Sequence, residues 1–142
     1  MKRILYVLED YPVSSETYVE TELRYFLAQG VEIAAWSRRG DPDRLKGTVP
    51  VFSGSLAAAA VQFKPHAIHA HWAMMAQSAL AYCPTIPLTV RGHSFEFKPS
   101  TIRSLAFDPR VRAVFVFPHQ FELTFRGGPC GSSADRWRAA AL

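Results

Sequence analysis

Three short stretches of this chain gather side chains suited to acid–base, ligand or hydrogen-bond chemistry. The first is Pro12-Val13-Ser14-Ser15-Glu16-Thr17, where hydroxyls and a carboxylate stand at a loop-to-helix junction. Backbone N–H groups at such a turn can face an anionic or polyhydroxyl ligand. The same Ser14 or Ser15 can also do no more than cap the helix, with Glu16 in its first turn. No G-x-G-x-x-G and no G-x-x-x-x-G-K-[ST] occurs anywhere, which excludes a nucleotide-binding fingerprint of either type.

The second stretch is His66-Ala67-Ile68-His69-Ala70-His71-Trp72. On a strand, His69 and His71 share one face, and two imidazoles on one face suit zinc. A metal needs three or four convergent ligands. His93 is the obvious third, and no Asp or Glu lies between Leu45 and Glu96. The spacing therefore favours a strand end whose histidines bond neighbouring loops, and no metal is expected; a small metal-dependent hydrolase using His69, His71 and His93 is the lesser alternative. The third stretch is Thr89-Val90-Arg91-Gly92-His93-Ser94-Phe95-Glu96. Gly92 permits a sharp turn after a strand. His93 then sits at the sheet rim, where an imidazole can bond a hydroxyl or act as acid or base near neutral pH. Glu96 could orient it or contact a sugar hydroxyl; a solvated loop histidine is the plainer alternative.

The elements that must position these residues can be read from periodicity. Residues 3–8, RILYVL, form an unalternating apolar run, the mark of a strand covered on both faces. From Glu16 to Gln29, the apolar residues Val19, Leu23, Phe26 and Leu27 recur at helical spacing, and Gly30 stands where a helix-terminating glycine belongs. A second strand is expected over 31–36, and residues 37–54 read as loop, with three Gly and two Pro. A short alanine-rich helix over 56–63 stops before Pro65. A strand over 66–71, a helix over 72–82, a strand from 88, a short helix over 101–107, a strand over 111–117 and a helix over 118–125 opened by Pro118 complete the pattern. Phe115, Phe117, Phe121 and Phe125 are expected in the core. Alternation of strand and helix predicts an α/β fold of three layers, α/β/α, with a mostly parallel sheet and right-handed crossovers. In such sheets, ligands bind at the carboxyl ends of the strands, where all three polar stretches fall.

Length and composition fit one such domain. The chain has 142 residues, with 49% hydrophobic and 20% charged side chains, which excludes global disorder. The net charge of +4 is too dilute for a nucleic-acid surface and allows only a weak peripheral attraction to anionic membrane. No apolar run approaches the ~18 residues of a membrane span, and Ile4–Leu8 is too short for a signal-peptide core. Cys83 and Cys130 lack a C-x-x-C partner and read as inert thiols, as expected of a cytoplasmic protein. From Arg126 on, RGGPCGSSADRWRAAAL has no clean period and reads as an irregular tail after a domain of residues 1–125.

Together, the three stretches resemble the start of bacterial retaining glycosyltransferases of the GT-B architecture. These belong to the family-4 group that builds exopolysaccharide, colanic acid and lipopolysaccharide. Pro12, Ser15, Glu16, Thr17, Tyr18, Val19 and Glu22 follow that group's P-x-x-S-E-T-F-V-x-x-E loop and helix, with Tyr for Phe. KPHAIHAHWA is similar to its D-h-I-H-A-H-F-A strand, with His66 in place of Asp, and IPLTVRGHSFEF to its I-P-h-v-h-T-x-H-G-x-D-I segment. The resemblance runs from about residue 3 to about residue 125. It implies a Rossmann-like, acceptor-side domain, one half of a GT-B fold, with Ser14–Thr17 and His71 lining the cleft beside Arg91, Gly92 and Glu96. His93 would lie near the reacting centre. The resemblance implies no cofactor and no obligatory metal. The nucleotide-sugar would be co-substrate of the complete enzyme, and a glycan or lipid-linked molecule its acceptor, at the inner face of the membrane in the latter case. The donor-binding domain, with its basic pair and E-x7-E motif, does not fit after residue 125. A truncated or frameshifted product, inactive alone, or a half that docks a separate donor-domain partner is therefore expected.

Overall fold

The chain is described here by a computed structural model over residues 2–14, 17–40, 47–93 and 97–125. Ser15, Glu16, Glu96 and the tail from 126 lie outside the described residues. Six strands form one all-parallel sheet: β1 (Arg3–Leu8), β2 (Glu32–Ser37), β3 (Val51–Phe52), β4 (Ala67–His71), β5 (Leu88–Arg91) and β6 (Val111–Phe115). Five helices connect or follow them: α1 (Thr17–Ala28), α2 (Leu56–Phe63), α3 (Ala73–Tyr82), α4 (Pro99–Ala106) and α5 (Pro118–Phe125). The expected three-layer, Rossmann-like α/β architecture is present.

The strand order is β3-β2-β1-β4-β5-β6. The chain therefore leaves β1 towards one edge and β4 towards the other, which opens a switch point between their carboxyl ends. β3 was not expected. It is only two residues long and exists because Val51 and Phe52 pair with Ala35 and Trp36, a tertiary event that no local pattern announces.

The two faces are covered unequally. On one, Leu5, Val7, Ile68, Ala70, Leu88, Val90 and Val114 pack beneath Leu56 and Ala59 of α2, Met75 and Ala76 of α3 and Ile102 and Leu105 of α4. On the other, Tyr6, Leu8, Ile33 and Ala35 pack beneath Val19 and Leu23 of α1. Each of those two helix side chains is fully buried, worth about 1.5–3 kcal/mol of apolar burial. Among the described residues, α1 is the helix that packs on this second face, and it lies over β1 and β2.

The glycines and phenylalanines refine the sequence reading. Gly30 ends α1 at φ +77°, as its position predicts. Gly92 has no positive φ; it is glycine for lack of room, since a Cβ there would lie 2.3 Å from the buried Phe97 ring. Phe117, in the link between β6 and α5, and Phe121 of α5 are 38% and 40% exposed, against the expectation of a core role. Phe115 is half-buried on the α1 face, and Phe125 packs at the margin of the main core.

Candidate functional site

Glu22 is the centre of the polar cluster. It lies on the apolar face of α1, three residues after Val19 and four before Phe26, so the packing that seats the helix aims its carboxylate at the sheet. Tyr6 of β1, 1% exposed, donates its hydroxyl to Glu22 Oε1 at 2.8 Å. Arg91, the last residue of β5, donates from Nη1 to Oε2 at 2.5 Å. From β4, His69 Nε2 approaches Oε1 to 3.3 Å and His71 Nε2 to 3.9 Å. The sheet register sets this convergence: Tyr6 pairs with His69, His69 with Thr89 and His71 with Arg91, all on the α1 face.

His93 continues the cluster toward solvent. His71 Nδ1 and His93 Nε2 share a hydrogen bond of 3.1 Å. The His93 ring is stacked on Trp72, centroids 4.4 Å apart, and lies 5.2 Å from the Tyr18 ring. Trp72 takes φ +78°, a conformation costly for a bulky residue, and this backbone presents its indole to His93. Arg91 also sits over the Tyr18 ring, its guanidinium carbon 5.7 Å from the centroid. Beside the cluster, a groove of about 390 Å³ runs over the uncovered sheet face, walled by Ile4, Tyr25, Phe26 and Phe115.

The electrostatics follow from burial. Desolvation pushes the Glu22 carboxyl up, but the nearby His71, His69 and Tyr6 outweigh it and hold it well below the usual carboxylate range, at about 2. Desolvation, then the neighbouring His71, drives His69 down to about 3. The same two causes, with Arg91, bring His93 to about 4. His93 is thus neutral at pH 7 and a weak base. This changes its expected part: it can hold a hydroxyl by hydrogen bonding, and is ill-suited to move a proton near neutrality.

The expected site residues divide accordingly. His71, Arg91 and His93 come together. Ser14 and Thr17 are exposed at the entrance to α1, and the Thr17 carbonyl accepts the Thr21 hydroxyl. Gly92, between Arg91 and His93, is pressed against the buried Phe97 ring. His66 is structural, its Nδ1 accepting the Arg3 N–H at 3.0 Å. Sequence reasoning assigned no site role to Glu22, Tyr6, Tyr18 or Trp72. Glu22 carried a usable signal, a carboxylate on the inward stripe of an amphipathic helix. Cys83 is buried and its thiol is pushed up by desolvation, in keeping with an inert role. Among the described residues, no helix is long and apolar enough to cross a membrane.

No protein-family model matches this chain, and no curated protein matches it.

Proposed function

We propose that this chain is the acceptor-side domain of a glycosyltransferase that moves a sugar from a nucleotide-sugar to a glycan or lipid-linked acceptor. One observation carries the reading. Two of the stretches that suggested it, far apart in sequence, meet at the carboxyl ends of the strands through His71, Arg91 and His93, joined there by Glu22 of α1. The aromatic walls of Trp72 and Tyr18 suit the apolar face of a sugar ring, and neutral His93 between them suits a hydroxyl. His93 has one ring nitrogen committed to His71; the other is its means of holding the acceptor oxygen. Glu22 is a positioning residue, fixing the His71 ring that fixes His93.

Transfer requires a donor held in line with that hydroxyl, and a separate donor-binding domain would supply it. In this reading the protein works in the cytoplasm, at the inner membrane face when the acceptor is lipid-linked. A printed array of saccharides, probed with the whole chain, tests it. Saccharide binding should appear and be lost in His93→Ala and Trp72→Ala at unchanged circular dichroism. Binding indifferent to both substitutions, or confined to nucleotides, would overturn the proposal.

A further inference from the structure

We propose that Glu22, His69 and His71 form a binding site for a divalent transition-metal ion of the zinc class, between α1 and the sheet. One ligand atom from each of the three lies within 4.8 Å of the other two. His69 is 8% and His71 0% exposed, and the Nε2 atoms of both are buried without a hydrogen-bond partner among the described residues. Both point at Glu22 Oε1, at 3.3 and 3.9 Å. Ligand atoms held tetrahedrally at zinc distances stand about 3.3 Å apart. The His69–Glu22 spacing of 3.3 Å already matches, the His71–Glu22 spacing is 3.9 Å, and the two imidazole nitrogens, within 4.8 Å of each other, would close onto the ion.

The surrounding groups are placed to hold His69 in its ligating form. Thr89 Oγ1 lies 2.7 Å from His69 Nδ1 and 3.4 Å from the Ile68 carbonyl; when its hydroxyl donates to that carbonyl, its oxygen accepts from His69 Nδ1–H. In that tautomer Nε2 turns a lone pair to Glu22 Oε1 at 3.3 Å, and a cation between them would satisfy both. His71 follows the same logic when its Nδ1–H donates to His93 Nε2. These are the outer partners that orient metal-binding imidazoles. Arg91 occupies Oε2, and Oε1, which also accepts the Tyr6 hydroxyl at 2.8 Å, is the oxygen facing both imidazoles and would be the single-oxygen ligand. Two imidazoles and a carboxylate favour zinc or cobalt over calcium or magnesium. Glu22 and His69 also line the 390 Å³ groove, which offers an entry path and a fourth position for water or ligand. Glu22 replaces His93, the third ligand that spacing alone suggested.

The test is metal binding by the whole chain, independent of any activity. After chelation and desalting, zinc is titrated against a chromophoric competitor, and cobalt is added to a second sample. One zinc per chain and the strong visible bands of four-coordinate cobalt are expected. His69→Gln should weaken zinc binding by about a hundredfold, Thr89→Ala by about tenfold, and His119→Gln on exposed α5 should leave it unchanged. Less than one zinc per wild-type chain, six-coordinate cobalt spectra, or equal binding by His69→Gln would overturn the site. Should His69→Gln fail to fold, the cobalt spectrum and stoichiometry of the wild-type chain decide alone. Loss of saccharide binding with zinc binding intact would refute the acceptor reading without touching this one.

Discussion

Removing the Glu22 carboxylate should cost far more than removing an ordinary acid on a helix surface. In Glu22→Ala the buried Tyr6 hydroxyl loses its acceptor at 2.8 Å, and a hydrogen bond to a charged group is worth about 1.5–3 kcal/mol. The Arg91 ion pair is partly exposed, with side chains 25% and 18% accessible, so solvent screening limits its share to about 0.5–1 kcal/mol. The expected loss is therefore about 3 kcal/mol, roughly a 10 °C fall in Tm for a domain of this size. Urea unfolding at pH 7.5 in chelator, followed by circular dichroism, measures it. A double-mutant cycle with Tyr6→Phe isolates the pair, and a coupling of about 1.5 kcal/mol is expected. Coupling below about 0.3 kcal/mol would refute the reasoning, because Glu22 would then be an ordinary solvated acid on α1.

Acid should destabilise the fold earlier than carboxylate titration alone allows. His69 and His93 have folded values of about 3 and 4 against an ordinary 6.5, so below pH 6.5 the unfolded chain binds more protons and stability falls with pH. The slope approaches about 1.4 kcal/mol per pH unit for buried His69, with a smaller share from half-buried His93. Glu22, at about 2 against 4.5, adds a further loss below pH 4.5. A urea midpoint that stays level from pH 7.5 to 5 would contradict this, and His69→Gln should flatten the upper part of the curve. Gly92→Ala should lose about 2–3 kcal/mol, since its methyl would meet the buried Phe97 ring; a thermal melt within 2 °C of wild type would refute that packing. Lys64 ends α2 at φ +55°, and Lys64→Gly should raise stability by about 0.5–1 kcal/mol in the same assay, whereas a loss would show that its strain is offset by contacts.

Much of the frame was legible because it is local. The unbroken apolar run gave β1 its limits, Arg3–Leu8, and the alanine-rich segment before Pro65 gave α2 its limits, Leu56–Phe63. Period and glycine placed α1 to within a residue. What escaped was relational. Whether Val51 and Phe52 form a strand depends on Trp36 being beside them. Along the chain no carboxylate stands near the histidines, since none occurs between Leu45 and Glu96. Glu22 reaches His69 only after α1 crosses the sheet, at a position where a charge interrupts an apolar stripe. The neutrality of His93 was equally hidden, since it comes from burial beside His71 and Arg91 rather than from its own loop.

The acceptor site is tested most directly by mapping saccharide binding on the folded chain. Backbone and imidazole chemical shifts would be followed by NMR while an array-selected oligosaccharide is added, and separately a nucleoside diphosphate. Saccharide-induced shifts centred on Tyr18, Trp72 and His93, with no comparable response to the nucleotide, are predicted. Shifts centred elsewhere, or a nucleotide response at His93 in place of the saccharide response, would contradict the acceptor-side assignment.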